Sequence, residues 1–291
     1  MERTYHEPRS VEEAVRVLGE HPDAAIVAGG TDLVVADRSG KQALPAALIA
    51  IHGLTELRGI RPGDGGATHV GALVTHAELE ASPLIRDAYS ALSDAAALVG
   101  SPATRNLGTI GGNLSNASPA MEAGSPLLVF EASVELASSA GSRRMPVAEF
   151  LLGPAKTARK PEEVLTGVLL PRHTGGRTGS AYLRLEYRQA MEIAVVGAAA
   201  MVSVDGSGRC LIARLALTAV APTCVRAPDA ESILTGQELS AALIESAAAA
   251  AAAAAKPIDD VRGSAAYRRE MVAVIAGRAL SIAWRRANGE M

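Results

Sequence analysis

Hydrophobic and polar positions in the first fifty residues follow the pattern of a small α/β unit. Apolar residues recur at helical spacing after Ser10, which forms a capping-box pattern with Glu13. Two short apolar runs follow at residues 24–28 and 47–51, and each is typical of a strand. The pattern therefore predicts one helix and two strands, with residues 32–39 connecting the strands.

The next hundred residues carry shorter signals. A Gly-rich run at 62–66 predicts a hairpin turn before a strand at 69–74. Thr75 begins a second capping-box pattern and a short helix. Residues 83–99 predict one long helix, whereas residues 101–117 are small, polar and without apolar periodicity, which predicts a loop.

The second half of the chain changes in composition. Strands are predicted at 134–137 and 164–170, and the Gly- and Thr-rich run 173–180 predicts a linker between domains. Two long β-type runs follow at 194–204 and 211–220, joined by a predicted turn, Asp-Gly-Ser-Gly. The remaining residues predict three helices, at 228–235, 240–255 and 264–287.

Composition excludes several classes of protein. A chain of 291 residues suits roughly two domains. With 28 basic and 31 acidic residues and no long run of one sign, general nucleic-acid binding is not expected. An aromatic content of 3% leaves little for an aromatic cage or for base stacking. No secretory signal and no membrane span are predicted.

Cysteine and histidine patterns point away from a metal site in this chain. Cys210 and Cys224 are the two cysteines, too few for an iron–sulfur cluster held by four thiolates. His69 and His76 have no companion carboxylate at metal-ligand spacing, and the other histidines are scattered. We therefore expect no metal bound to this chain.

Two Gly-rich segments are the candidates for ligand binding. The first, AGGTDL at 28–33, directly follows a predicted strand, and the second, GTIGGN at 108–113, lies in a predicted loop. Consecutive amides in such turns form an anion-binding nest, and Thr31 and Thr109 each add a hydroxyl. Together they would suit a diphosphate held from both sides. Each segment alone is also compatible with a plain tight turn, and neither matches the Rossmann or Walker pattern.

The two segments are part of a longer ordered set of motifs, AGGTDL, VGALVTHAELEAS, RNLGTIGGNLSNASPA, GSAYLRLEYRQAMEIAVVGAA and RGSAAYRREM. In this order and spacing, the chain resembles the FAD-binding medium subunit of the molybdenum hydroxylases. That family includes the carbon monoxide dehydrogenase medium subunit and the flavin domain of xanthine dehydrogenase. The resemblance runs from Tyr5 to the last helix.

The resemblance implies an α+β fold of the PCMH type, which is like that of vanillyl-alcohol oxidase. Two α/β subdomains, about 1–55 and 56–173, would form an FAD-binding domain over residues 1–173. A C-terminal domain of antiparallel sheet with helices, like that of the CO dehydrogenase flavoprotein, would cover residues 178–291.

The resemblance also implies which residues contact the cofactor. One side of the FAD diphosphate would be wrapped by Ile26, Val27, Ala28, Gly29, Gly30, Thr31, Asp32 and Leu33. The other side would be wrapped, through backbone amides and the threonine hydroxyl, by Thr109, Ile110, Gly111, Gly112 and Asn113. A valine at Gly111 is accordingly expected to block FAD binding and leave the fold intact.

Three further residues match positions near the flavin ring. Leu165 matches a position in apolar contact with the flavin. Arg184 matches a basic residue near the isoalloxazine, where a positive charge favours the reduced anion. Tyr182 stands where a ring would cover the isoalloxazine, and its alternative interpretation is a partly buried tyrosine of a strand.

Some positions depart from the family pattern. Glu122 replaces an aspartate that contacts FAD, and one extra residue precedes Pro126. Glu122 would accept a hydrogen bond from a sugar hydroxyl of FAD through its longer side chain. Glu192 replaces another common aspartate. The histidine that some relatives carry in the first Gly-rich segment is absent, so the resemblance implies non-covalent FAD.

The function implied is electron transfer within a heterotrimer. A large subunit would carry the molybdenum cofactor, a small subunit two [2Fe–2S] clusters, and this chain FAD. Electrons would pass from the clusters through FAD to NAD⁺, a quinone or O₂. The complex would be a cytoplasmic dimer of heterotrimers, with association at the inner membrane face also compatible.

Two other functions stay open at this point. One is a self-contained flavin-dependent oxidoreductase of the same fold. The other is a flavin-free structural subunit, motivated by Glu122. The substrate of the complex, whether carbon monoxide, a purine, an N-heterocycle or an aldehyde, is not readable from this chain.

Overall fold

A small parallel sheet forms the beginning of the computed structural model, which describes residues 3–290. Its three strands pair in the order β1-β3-β2. The elements of this region are β1 (Thr4–His6), α1 (Val11–Glu20), β2 (Ala25–Val27), α2 (Leu33–Arg38) and β3 (Ala47–Ala50). The Ser10 hydroxyl caps α1, but the Glu13 carboxylate accepts from the amide of Arg9, so the predicted capping box is only half formed.

A five-stranded antiparallel sheet with helices follows. Its order is β4-β5-β10-β6-β7, and β8 and β9 form a separate two-stranded ribbon. The strands are β4 (Ile60–Pro62), β5 (Thr68–Gly71), β6 (Ser133–Ser138), β7 (Gly141–Pro146), β8 (Leu151–Gly153), β9 (Lys156–Thr157) and β10 (Val164–Leu170). The helices are α3 (His76–Ala81), α4 (Pro83–Ala88), α5 (Ser90–Leu98), α6 (Pro102–Arg105), α7 (Ile110–Asn116), α8 (Gly124–Val129) and α9 (Val147–Phe150).

Two predictions in this region are wrong. The single helix at 83–99 is broken at Tyr89, whose φ of −138° and ψ of 46° are not helical. The Tyr89 hydroxyl donates to the carbonyl of Leu170 at 3.1 Å, so tertiary packing of the ring determines the break. The loop at 101–117 contains α6 and α7, which begin after the capping side chains of Ser101 and Thr109. Helices this short show no periodicity to read.

The C-terminal domain is a four-stranded antiparallel sheet covered by helices, in the order β11-β12-β13-β14. Its elements are β11 (Arg177–Leu185), β12 (Val196–Val204), β13 (Cys210–Thr218), β14 (Val225–Arg226), α10 (Pro228–Leu234), α11 (Ala241–Ala251) and α12 (Ala265–Ala287). The predicted turn between β12 and β13 and the three predicted helices are confirmed. The predicted linker is too long, because β11 begins at Arg177. Gly179 there packs on α12, where its β-carbon would be 2.2 Å from the Ala283 carbonyl oxygen.

Small side chains allow the C-terminal sheet to be covered on both faces. All nine residues of β12 are buried, so the run does not alternate between apolar and polar. Ala198 and Ala200 pack in the cluster that contains α12, whereas Ala199 and Met201 pack in the cluster of the preceding domain. The two domains therefore share a continuous core.

Polar contacts also join the domains. Arg286 of α12 donates to Asp94 of α5 at 2.6 Å, and the Ser90 hydroxyl donates to the Ser180 carbonyl at 2.8 Å. Within residues 3–290, no helix combines the length and apolar character that crossing a bilayer requires.

Candidate functional site

The two Gly-rich segments meet in the structure. A β-carbon on Gly29 would lie 1.8 Å from the carbonyl oxygen of Leu107 and 3.2 Å from the amide nitrogen of Gly108. A β-carbon on Gly108 would lie 3.5 Å from the Thr31 hydroxyl oxygen. Only glycine permits this approach at residue 29, so the predicted pairing of the two segments is present in the fold.

The first segment presents free backbone donors. Among residues 3–290, none of the amides from Gly29 to Leu33 donates to a protein acceptor. The carbonyls of Gly30 and Asp32 accept bonds from the amides of Val34 and Ala36, so two carbonyls of the segment are occupied while its amides remain available. Gly30 has a φ of 68°, which glycine adopts without strain. Five consecutive free amides, from the end of β2 to the first residue of α2, are the donors that an anion-binding nest requires.

The second segment differs from the prediction, because the backbone amides of residues 110–113 are already bonded. Ile110 donates to Val74, Gly111 to Ala72, and Asn113 to the Thr109 carbonyl, each at 2.9–3.0 Å. The Gly112 amide donates to the Thr109 hydroxyl oxygen at 3.0 Å. The prediction that these four amides are donors to a ligand is therefore wrong.

Two side-chain groups of the second segment remain available. The Thr109 hydroxyl accepts from Gly112, which leaves its own hydrogen free to donate. The Asn113 Oδ1 atom is buried and has no hydrogen-bond partner among residues 3–290. A buried acceptor without a partner is costly, which makes Asn113 a candidate ligand contact.

Gly111 and Gly112 face opposite directions. A β-carbon on Gly111 would lie 2.7 Å from the Ala72 carbonyl oxygen and 2.8 Å from the Ala72 β-carbon. A β-carbon on Gly112 would meet only the Thr109 hydroxyl oxygen, at 3.1 Å. The expectation that a valine at Gly111 leaves the fold intact is therefore wrong, because that position is packed against a backbone.

Leu165 lies behind the second segment. It is 5% exposed and sits at the irregular point of β10, where the register with β6 shifts between Leu165 and Gly167. The neighbouring Thr166 carbonyl accepts from the amide of Ala72, the residue on which Gly111 packs. Leu165 is thus connected to the second segment through the backbone of Ala72.

Tyr182 lies in the core that the two domains share. It is 3% exposed, and its hydroxyl has no partner among residues 3–290. Burial raises the pKa of this phenol well above its ordinary value. This placement agrees with the alternative interpretation of Tyr182 as a buried tyrosine of a strand.

Arg184 is buried between two carboxylates. Its Nη1 donates to Glu122 Oε1 at 2.5 Å, and its Nε donates to Glu186 Oε2 at 2.6 Å. The Arg184 side chain is 0% exposed, compared with 10% for Glu122 and 22% for Glu186. One carboxylate oxygen of Glu122 therefore pairs with an arginine of the other domain, and the sequence analysis did not predict this pairing.

Burial controls the acid–base behaviour of Glu122. It raises the pKa of this carboxyl to about 7, against the opposing effect of Arg184. Glu186, also missed, raises the pKa of Glu122 further through its negative charge. The sequence did carry a signal for Glu186, because it stands two positions after Arg184 and extended backbone places residues two apart on the same face.

Exposed apolar side chains lie beside the nest. Leu107, whose backbone contacts Gly29, is 59% exposed, and Val34 at the start of α2 is 39% exposed. Met191 is exposed near Leu107, since its sulfur contacts the Thr104 hydroxyl at 3.8 Å. An anion nest with apolar neighbours suits a ligand that combines phosphate with flat apolar rings.

Two family profiles cover most of the chain. The one described as "FAD binding domain in molybdopterin dehydrogenase" matches residues 1–173. The one described as "CO dehydrogenase flavoprotein C-terminal domain" matches residues 181–283.

Similar proteins match along nearly their whole length. The carbon monoxide dehydrogenase medium chain of Hydrogenophaga pseudoflava is 36% identical, with 97% of each chain covered. The nicotinate dehydrogenase FAD-subunit of Eubacterium barkeri is 34% identical, with 91% of this chain and 90% of that protein covered.

Solved structures have the same fold. A chain of carbon monoxide dehydrogenase from Hydrogenophaga pseudoflava superposes with a TM-score of 0.92 at 35% identity, covering 98% of both chains. A chain of quinoline 2-oxidoreductase from Pseudomonas putida 86 gives 0.90 at 31% identity, covering 100% of this chain and 99% of that one.

Proposed function

The chain belongs to the family of FAD-binding subunits of molybdenum-cofactor dehydrogenases, and from this premise we propose that it passes electrons from a partner's [2Fe–2S] clusters to an external acceptor. The predicted family, the α+β FAD-binding fold and the assignment to the oxidoreductases are confirmed. The partners, the acceptor and the residues that contact FAD are part of the proposal.

The residues present fit FAD. The observation that carries the proposal is the nest of five free amides from Gly29 to Leu33, which suits a diphosphate. The Thr109 hydroxyl is a further donor, and the unpartnered Asn113 Oδ1 suits a hydroxyl of the sugar or the ribityl chain. Gly112 leaves this side of α7 without a side chain.

The rest of the chain binds and tunes the cofactor. When bound, FAD supplies an isoalloxazine that accepts and releases electrons. We assign apolar contact with the ring to Leu165, whereas Tyr182 is buried in the shared core and takes the alternative role of a strand tyrosine. Arg184 supplies a nearby positive charge, which Glu122 and Glu186 partly offset. No side chain of this chain has to act as an acid–base catalyst.

The metal centres belong to partner subunits in this proposal. Cys210 and Cys224 are buried, and burial raises their thiol pKa values to about 11 and about 12, so neither is poised to bind iron as a thiolate. Relatives are named as FAD-binding subunits of xanthine and nicotinate dehydrogenases. By analogy, a large molybdenum subunit and a small [2Fe–2S] subunit complete a heterotrimer, which pairs into a dimer in the cytoplasm.

The test begins with the purified chain and FAD. Quenching of FAD fluorescence during titration should reveal a binding site, and the bound cofactor should show flavin absorption bands. Co-expression with candidate large and small subunits should yield one complex that contains both the flavin and [2Fe–2S] clusters. Failure of the chain and the complex to bind FAD would contradict the cofactor assignment. Turnover by the chain alone would favour a self-contained oxidoreductase.

A further inference from the structure

The Arg184 cluster crosses the boundary between the two domains. Glu122 comes from the segment between α7 and α8, Arg184 comes from β11, and Glu186 directly follows the end of β11. All three side chains are mostly buried, with exposures of 10%, 0% and 22% respectively. Two carboxylates thus hold one guanidinium inside the interface, where charges are strongly felt because water is largely excluded.

We propose that Glu122 is a positioning residue that, together with Glu186, holds the Arg184 guanidinium in place and sets the net charge facing the bound flavin. This inference rests on the proposed function, because it takes Arg184 as the basic residue beside the isoalloxazine. In this role Glu122 positions Arg184, and it does not make the expected hydrogen bond to a sugar hydroxyl of FAD.

The hydrogen-bond geometry supports this role. Glu122 and Glu186 bind different nitrogens of the guanidinium, Nη1 and Nε, so the plane of the group is fixed from two sides. Arg184 Nη2 is buried and lies 2.5 Å from Glu186 Oε2, in the ion pair between these two side chains. The two carboxylates therefore contact all three nitrogens of the guanidinium, so a bound flavin would feel the charge of this fixed cluster and not a free N–H group.

Glu122 changes charge near neutrality. Burial raises its pKa to about 7, while Arg184 lowers and Glu186 raises it. Tyr182 and Cys224 also face Glu122, but burial keeps both neutral by raising their pKa values, that of Cys224 to about 12. With Glu122 protonated, Arg184 and Glu186 cancel. With Glu122 ionised, the cluster carries one net negative charge.

The predicted consequence is a change in flavin properties with pH. A net negative charge disfavours both the anionic cofactor and its reduced anion, so ionisation of Glu122 weakens FAD binding and lowers the flavin potential. Since free flavin has a pH dependence of its own, the informative quantity is the difference between the wild-type protein and Glu122→Gln. Glutamine keeps the acceptor oxygen for Arg184 and removes the charge.

The experiment measures the FAD dissociation constant of the full chain by fluorescence quenching from about pH 6 to about pH 8. Wild type and Glu122→Gln should agree at the acid end. At the alkaline end, the variant should bind FAD severalfold more tightly and show a more positive potential in a dye-coupled titration. Glu192→Gln is the matched control, because Glu192 pairs with Arg188 and not with Arg184, and it should follow wild type throughout.

Glu186→Gln gives a second, independent measurement. Glu186 is the more exposed carboxylate, and its negative charge raises the pKa of Glu122, so its loss should move the wild-type pH midpoint to lower pH. If FAD binds but the curves of wild type, Glu122→Gln and Glu186→Gln run parallel, the role of Glu122 is wrong while the proposed function stands. If Glu122→Gln fails to fold, an unmoved midpoint in Glu186→Gln overturns the role. If the wild-type chain and its complex bind no FAD, both proposals fail.

Discussion

The backbones of Gly29 and Leu107 are in direct contact. A β-carbon on Gly29 would lie 1.8 Å from the Leu107 carbonyl oxygen, so no larger residue fits at this position. This contact joins the free amides after β2 to the segment that leads into α7. The proposed diphosphate site therefore depends on one close approach between two parts of the chain that are far apart in sequence.

Gly29→Ala should destabilise the protein. The added carbon meets backbone atoms that cannot rotate away, and overpacking of this kind costs about 1–3 kcal/mol. Urea unfolding measures the loss in the free energy of unfolding. Gly19→Ala is the control, because Gly19 lies inside α1 with nothing within 4 Å of an added β-carbon. It should stabilise the helix by up to about 1 kcal/mol, and equal effects of the two changes would contradict the close contact.

Gly111→Val should lower the stability of the fold, whereas Gly112→Val should lower the affinity for FAD. Valine at residue 111 is driven into Ala72, so the protein should unfold at clearly lower urea concentration. Valine at residue 112 points away from the core, so stability should change by less than about 1 kcal/mol. FAD affinity of the folded Gly112 variant should fall by about tenfold or more, which is about 1.4 kcal/mol. Unchanged affinity would remove α7 from the proposed site.

Tyr182→Phe should leave the fold intact and stabilise it slightly. The hydroxyl is buried and makes no hydrogen bond of good geometry in this structure, although the Thr218 side chain lies beside it. An unsatisfied buried polar group costs about 1–3 kcal/mol. Removal of the hydroxyl should therefore recover part of this free-energy cost. Chemical denaturation of the cofactor-free chain gives the sign. A loss of stability would show that the hydroxyl has a hydrogen-bond partner.

The stability of the cofactor-free chain should depend on pH through Glu122. Its pKa is raised from 4.5 to about 7, so the folded state binds the proton more tightly than the unfolded state. The contribution to stability is complete below pH 4.5 and is lost as pH rises through about 7. Relative to Glu122→Gln, wild type should lose up to about 3 kcal/mol over this range. A constant difference would mean that the carboxyl has an ordinary pKa.

His76 should make the stability of the protein depend on pH in the opposite direction from Glu122. Burial, with a smaller effect of Arg105, lowers the pKa of this imidazole from 6.5 to about 4. The unfolded state therefore binds the proton more tightly, and stability should fall as pH drops from 6.5 towards about 4. His76→Gln should remove this acid sensitivity, which thermal unfolding at several pH values would reveal. If the variant is as acid-sensitive as wild type, other groups account for the loss.

Several local features of the fold were predictable from the sequence. The capping box of Thr75 and Glu78 and the turn from Asp205 to Gly208 form as predicted, because their hydrogen bonds join residues only a few positions apart. The long helix 264–287 was predictable because its apolar face repeats over many turns. The break at Tyr89 was not, since it depends on a contact with Leu170.

The sequence by itself determined the family and the two Gly-rich segments, since motif order and glycine content are properties of the chain. Only the tertiary structure decided which amides stay free, that Gly111 faces inward, and that Glu122 meets Arg184. The direction of a missing β-carbon and the pairing of charges 62 positions apart follow from how the two domains pack. Packing between distant segments is settled by the whole core at once, and no local pattern contains it.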